Sequence, residues 1–335
     1  MSHSSTSQSD GSAPSQTARE DGRTAQREAT LIAIDWGTSS LRGARLDAQG
    51  EVLEERSFTR GLLTVAPGGF QHVFDECFGD WTRRGAPTCL ISGMAGSKQG
   101  WREAPYCPCP AGFQDLAAHL LWLDLGPDRS RAAIVPGLSC EHTQSSSGLP
   151  DVPDVIRGEE VQILGAMQLT GLRDGSFVLP GTHSKWAQVE NGRVLGFRTY
   201  LSGEVFALLS QQSILARTVD ATAPFDPDAF ALGVQRARTP GGLLHHVFGA
   251  RTLSLFSRME PGALANYLSG LVIGDELAAQ RLDPALPVIL IGSSELTKRY
   301  AQALALHAVH ATTLDARATW AGLMALSQAL PRRTP

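Results

Sequence analysis

Apolar residues in this chain fall into short runs broken by Gly, Asn, Asp and Pro. Residues 31–35 form an apolar run ending in an acid, which predicts a short buried strand. Residues 41–46 and 52–58 flank the turn signal Asp47-Ala48-Gln49-Gly50 and read as a hairpin. Residues 88–91 predict another strand, entering the Gly-rich run Ser92-Gly93-Met94-Ala95-Gly96-Ser97. Helical spacing covers residues 114–125, a strand 132–135, and a helix 159–169. A strand at 176–179 enters Pro180-Gly181-Thr182. Residues 186–189 and 194–200 flank Asn191-Gly192, whose two turn residues tolerate positive φ, so they predict a second hairpin. Helices follow at 205–216 and 262–280. A strand at 288–291 ends in Gly292-Ser293-Ser294, followed by helices at 295–307 and 319–330. Strands and helices alternate in the second half, so the class is α/β.

Two stretches share one plan. Gly37-Thr38-Ser39-Ser40, a strand, a turn closing at Gly50 and then Glu51-Val52-Leu53 match Gly181-Thr182-His183-Ser184, a strand, a turn closing at Gly192 and then Arg193-Val194-Leu195. Each follows a short apolar strand. Order, spacing and hairpin register all agree, which implies two similar halves facing each other. The length of 335 residues accommodates them. Residues 1–30 contain no Val, Ile, Leu, Phe, Trp or Tyr and are expected to be a disordered leader.

Composition narrows the function. The net charge is −4, which argues against a nucleic-acid binder driven by phosphate contacts. Apolar runs fall far short of the roughly 20 residues that cross a membrane. Five cysteines without disulfide or zinc spacing fit a reduced, cytoplasmic protein. Neither a P-loop nor a dinucleotide-binding Gly-x-Gly-x-x-Gly after a strand is present, and a Gly-x-Ser-x-Gly hydrolase elbow is missing too. The repeated loops offer different chemistry. Gly37 and Gly181 let the backbone approach an anion, and the amides and hydroxyls of Thr38, Ser39, Thr182 and Ser184 can donate to phosphate oxygens. Asp35, at the end of a strand before the first loop, suits Mg²⁺, which takes few carboxylates together with phosphates and water; an ordinary turn Asp is the alternative.

These segments resemble the actin/hexokinase superfamily of ATP-dependent sugar kinases. Asp35-Trp36-Gly37-Thr38-Ser39-Ser40-Leu41-Arg42 looks like its first phosphate loop. Pro180-Gly181-Thr182-His183-Ser184-Lys185-Trp186 looks like the second, and Ile289-Leu290-Ile291-Gly292-Ser293-Ser294 like the adenosine loop. More narrowly, the chain resembles the 2-dehydro-3-deoxygalactonokinase family. The stretches that carry this are Gly93-Met94-Ala95-Gly96-Ser97 with Gly100-Trp101 and Ala104-Pro105-Tyr106, Ile134-Val135-Pro136-Gly137-Leu138, Arg157-Gly158-Glu159-Glu160, and Gly181-Thr182-His183-Ser184-Lys185-Trp186.

The resemblance implies two RNase H-like domains, residues 31–172 and 173–335, with an ATP and substrate cleft between them and the last helix at the interface. It implies a cytoplasmic kinase that uses ATP and Mg²⁺ to phosphorylate the terminal (C6) hydroxyl of 2-dehydro-3-deoxy-D-galactonate, giving a 6-phosphate for aldol cleavage. Alternatives are a kinase of another sugar acid, such as 2-dehydro-3-deoxygluconate, and a non-catalytic ATP-binding regulatory protein. Superfamily kinases usually place an Asp base at the start of a helix, and this chain has none there, so Glu159 or Glu160 is expected to act. First-turn acids that favour the helix dipole are the bland alternative for both. Asp35 is the expected metal ligand. Gly37, Thr38, Ser39, Gly181, Thr182, His183 and Lys185 are expected at the phosphates, and Gly292 and Ser293 at adenine or ribose. Arg42, Gly96, Ser97, Trp101 and Arg157 are expected around the anionic substrate, the arginines as partners for its carboxylate.

Overall fold

The structure is a computed structural model, and it describes residues 27–142 and 150–331. Most of the expected leader lies outside the described residues.

The chain starts with β1 (Leu31–Trp36), β2 (Leu41–Leu46) and β3 (Val52–Phe58), a meander, followed by α1 (Phe70–Phe78) and β4 (Thr88–Gly93). Next come β5 (Cys107–Pro108), α2 (Phe113–Ala118), β6 (Leu121–Leu123), β7 (Ala132–Ile134), β8 (Leu138–His142), β9 (Val152–Ile156) and α3 (Glu159–Thr170). The plan then repeats with β10 (Gly175–Leu179), β11 (Ser184–Glu190) and β12 (Arg193–Tyr200). Helices α4 (Ser202–Gln212), α5 (Pro227–Ala237), α6 (Gly242–Leu255) and α7 (Pro261–Ala278) precede β13 (Val288–Ile291), α8 (Ser294–Ala305), β14 (Ala311–Leu314) and α9 (Arg317–Gln328).

The first sheet runs β3-β2-β1-β4-β7-β6, and the second runs β12-β11-β10-β13-β14. Both have an antiparallel meander at one side and parallel strands beyond it. The five-strand order is therefore the same twice, as the repeated sequence plan predicts. A short third sheet, β5-β8-β9, packs against β12. The turn between β11 and β12 has Asn191 at φ 52° and Gly192 at φ 76°, the left-handed pair its sequence predicts.

Alternation along β1 explains the layering. Leu31 and Ala33 enter one cluster, and Ile32, Ile34 and Trp36 enter another with Phe74 and Phe78 of α1. In the second sheet, Phe177 and Leu179 join the Leu31 cluster, while Val178 faces a separate cluster with α5, α7 and α8. One face of each sheet thus contributes to a shared core, together with Val161 and Leu164 of α3 and Leu323 and Leu326 of α9. Helix α9 packs on β1, β2 and β4 of the first sheet, and α3 packs on β13 of the second. Gly165 and Gly322 make that crossing possible. A Cβ on Gly165 would lie 1.8 Å from the Ala318 carbonyl oxygen, and one on Gly322 would lie 2.0 Å from that of Val161.

The structure departs from the sequence reading in several places, and strands β5, β8, β9 and β14 are among the elements that reading lacks. The helix expected over 114–125 stops at Ala118, and Leu121–Leu123 pair antiparallel with β7. The edge of the sheet captures a segment whose spacing also suits a helix. Helix α1 is an element the reading left out, although Phe70, Val73, Phe74, Cys77 and Phe78 have helical spacing. Helix α5 has an equally legible start, with Asp226 accepting from the Asp228 and Ala229 N–H groups and Pro227 at its first turn. Helix α6 shows apolar residues around most of its circumference, including exposed Leu244 and Phe248, so it gave no one-sided pattern.

Candidate active site

Three chain segments converge at the carboxyl ends of β1 and β4. Gly93 closes β4 at φ 89°, and a Cβ there would sit 2.6 Å from the Trp36 carbonyl oxygen and 3.5 Å from Asp35 Oδ1. Gly158, at φ 101°, caps α3, and its Cβ position is 3.3 Å from Gly93 Cα. Two glycines thus let the Asp35 strand end and the start of α3 meet with almost nothing between them. Asp35 and Arg42 are cross-strand partners, and their side chains form an ion pair at 2.5 Å. Arg42 also lies over the Trp320 ring of α9. The expected metal ligand and one expected substrate arginine are therefore bonded to each other.

The adjacent acids Glu159 and Glu160 differ sharply. Glu159 is partly exposed; its Oε2 accepts the Arg157 N–H and its Oε1 lies 3.2 Å from Lys185 Nζ. Lys185 belongs to β11, so this ion pair links the two sheets' segments. The Lys185 ammonium also donates to the His183 carbonyl at 2.7 Å and is itself buried. Glu160 is fully buried; its Oε2 accepts the Gly158 N–H, and its Oε1 has no partner among the described residues. Burial, reinforced by the neighbouring Glu159 charge, pushes the Glu160 carboxyl well above the usual range.

The first loop is held by its own backbone. The Gly37 N–H donates to the Ser40 carbonyl, and the Leu62 and Leu63 N–H groups donate to Gly37 and Thr38. Thr38 and Ser39 remain exposed. The second loop is pressed against the start of α4. A Cβ on Gly203 would lie 2.4 Å from the Gly181 carbonyl oxygen, and the Glu204 N–H donates to Thr182. His183 Nε2 and Glu204 Oε2 are 2.6 Å apart.

The expected substrate residues separate into two groups. Gly96 and Arg157 are in contact, since a Cβ on Gly96 would come within 2.7 Å of Arg157 Nη1. Arg157 Nη2 donates to the Ala104 carbonyl, its guanidinium stacks over Tyr106, and its Nε and Nη1 have no partner among the described residues. Ser97 Oγ is likewise buried and unpartnered. Trp101 instead contacts Trp36 and Phe74 and packs against the core behind β1.

A cavity of about 160 Å³ opens beside the second loop, between α4, α7 and α8. Its walls include Gly181, Ser202, Asn266, Leu296, Arg299 and Tyr300. The residues expected at the nucleoside, Gly292 and Ser293, do not line it; the first turns of the helix they introduce do. Gly292 has a positive φ of 154°, a conformation that favours glycine, and Ser293 precedes α8.

The 2-keto-3-deoxy-galactonokinase family model matches residues 35–326. The chain belongs to that family. It is similar to the 2-dehydro-3-deoxygalactonokinase of Escherichia coli (strain K12), at 32% identity over 82% of this chain and 89% of the relative. It is 35% identical to the Rhizobium meliloti (strain 1021) protein named "Probable 2-dehydro-3-deoxygalactonokinase DgoK1", over 89% of this chain and 96% of that one. A crystal structure of a Sinorhizobium meliloti protein provisionally given the same enzyme name has a TM-score of 0.79 at 33% identity, covering 89% of this chain and 98% of that one. In this family member, Asp35 with Arg42, the start of α3 and Lys185 lie together, while Trp101 belongs to the core and the cavity flanks the second loop.

One polar centre near the site escaped the sequence reading. Glu276, in α7, is buried and accepts hydrogen bonds from four neutral donors: Ser184 Oγ, Trp186 Nε1, Ser202 Oγ and Tyr300 OH. The signal was the acid pair Asp275-Glu276 inside a largely apolar helix, but the partners of Glu276 are 24 to 92 positions away. Among the described residues, no group of three His, Cys, Asp or Glu side chains could hold a metal ion. No helix there is long and apolar enough to cross a membrane.

Proposed function

We propose that this chain is an ATP-dependent kinase that phosphorylates the C6 hydroxyl of 2-dehydro-3-deoxy-D-galactonate. Family membership and the names of its relatives support the substrate class. The observation that carries the mechanism is the meeting of Asp35, the α3 start and Lys185 at the ends of two sheets of like topology. Two RNase H-like domains, residues 31–172 and 173–335, hold ATP and the sugar acid in a cleft between them, with α9 returning to the first sheet.

Glu159 is the base. It is the acid of the pair that reaches solvent, whereas Glu160 is enclosed and favours its neutral form. Glu159 takes the proton as the C6 oxygen bonds to the γ-phosphorus, and the bond to the ADP oxygen breaks. Lys185 and the loop amides around Gly37, Thr38, Ser39, Gly181, Thr182 and His183 hold the phosphates. The adenine and ribose occupy the cavity beside α8, near Gly292 and Ser293. Gly96, Ser97 and Arg157 surround the sugar acid. Mg²⁺ fits the chemistry at Asp35: a carboxylate outside any cluster of three ligand side chains among the described residues suits an ion that draws its other ligands from phosphate and water. When bound it neutralises phosphate charge.

The test is a coupled ADP-release assay with Mg·ATP, comparing 2-dehydro-3-deoxy-D-galactonate with its gluconate epimer. Turnover is expected with the galactonate compound, and Glu159→Gln should lower kcat by about 10²-fold or more, the usual contribution of a general base. Full turnover in Glu159→Gln would move the base elsewhere. Wild-type protein that binds ATP but releases no ADP with either acid would favour a non-catalytic nucleotide-binding role.

A further inference from the structure

Glu276 lies behind the nucleotide site rather than in it, and its four partners come from three different walls. Ser184 and Trp186 alternate on β11, immediately after the second phosphate loop, and both donate to Oε1, at 2.7 and 2.5 Å. Ser202, the first residue of α4, and Tyr300 of α8 both donate to Oε2, Tyr300 at 2.7 Å. Ser202 and Tyr300 line the cavity. The next residue after Ser202 is Gly203, which packs on the Gly181 carbonyl. One carboxylate is therefore tied to the phosphate loop on one oxygen and to the nucleoside cavity on the other.

A buried carboxylate is costly, and apolar side chains of similar size often stabilise a fold equally well. None of the hydrogen bonds recorded for Glu276 comes from Lys, Arg or His. Burial, and then the Glu276 charge, hold the Tyr300 phenol protonated as a donor. All four partners thus point their protons at a single acid. A neutral apolar residue there would leave the Trp186 N–H and three hydroxyls without this acceptor.

We infer that Glu276 is a positioning residue for nucleotide binding. It fixes the distance between the loop that holds the phosphates and the cavity that holds the nucleoside, so that one ATP molecule spans both without reorganisation. This rests on the nucleotide site proposed above.

The variant Glu276→Gln keeps the size of the side chain and lets the hydroxyls of Ser202 and Tyr300 turn to accept. Ser202→Ala cuts one link only. Calorimetric titration with ATP measures Kd, the ADP-release assay measures KM for the sugar acid, and thermal melting verifies the fold. The expected result for a folded Glu276→Gln is an ATP Kd raised by about tenfold, with the sugar-acid KM within about twofold of wild type. Ser202→Ala should shift Kd in the same direction by a smaller factor. An unchanged ATP Kd in folded variants overturns the inference, as does an equal rise in both constants, which would mean general loosening. Should Glu276→Gln fail to fold, Ser202→Ala decides by the same criteria. Wild type that binds ATP without sugar-acid turnover refutes the kinase reading alone, and the ATP titration still judges Glu276.

Discussion

Replacing Gly165 by Ala should destabilise the chain and slow it, although alanine is the better helix former. The added Cβ would lie 1.8 Å from the Ala318 carbonyl oxygen and 2.6 Å from the Gly322 nitrogen. Both obstacles are backbone, so no flexible side chain can turn away. Helices α3 and α9 would have to part by about 1.2 Å to reach the roughly 3.0 Å that such contacts tolerate. A separation of that size forfeits much of the dispersion contact between them. Overpacking of this kind costs about 3 kcal/mol, against about 1 kcal/mol gained in helix propensity, for a net loss of about 2 kcal/mol. In a chain of this size, that lowers Tm by roughly 3 °C. Gly249, in α6, is the control. Its Cβ position meets nothing closer than Tyr267 Oη at 4.0 Å, so Gly249→Ala should raise Tm by roughly 1–2 °C. Calorimetric melting of both variants reads the contrast in sign. Because α3 carries Glu159 at its first turn, Gly165→Ala should also reduce kcat, as small misplacements of a reacting group do. A Gly165→Ala protein that melts at or above the wild-type temperature would refute the close-crossing argument. One that melts lower with full kcat would refute the link from the crossing to the site.

Other consequences follow from the same geometry. Glu160 has a pKa raised above its ordinary 4.5, so the folded chain holds a proton that the unfolded chain releases. Its contribution to stability is complete below that ordinary value and declines as pH rises through the raised one. The stability of Glu160→Gln relative to wild type should therefore climb as pH rises above that ordinary value, by up to about 2.303RT per pH unit for the one proton; parallel stability curves would contradict it. Asp35→Asn keeps an oxygen for Arg42 but removes the charge offered to Mg²⁺. The Mg²⁺ concentration for half-maximal ADP release should rise by about tenfold, and an unchanged titration would remove Asp35 from the metal.

Local pattern carried most strands of the two larger sheets, but not the edge strands β6 and β14. The apolar run at Leu31–Trp36 is buried on both faces, and such a run is legible without any partner. The Asn191-Gly192 turn is equally local, because two consecutive positive φ angles leave few choices of residue. The repeated Gly-Thr plan anticipated two sheets of one topology, and the combined motifs pointed to the family. Helices α1 and α5 were also written in the sequence, in the spacing from Phe70 to Phe78 and in the Asp226-Pro227 start.

What the sequence by itself determined was therefore the family, the class of fold and the segments that fold into strands, turns and loops at the candidate site: strand periods, turn residues and Gly-rich loops depend on neighbours a few positions apart. The tertiary structure decided the states of individual side chains. Glu159 and Glu160 are adjacent acids, yet one reaches solvent beside Lys185 and the other is sealed with no partner for its Oε1 among the described residues. Arg42 pairs with Asp35, Trp101 joins the core, and Glu276 gathers donors from β11, α4 and α8. Burial and hydrogen bonding depend on contacts between residues far apart in the chain, and only folding brings those residues together.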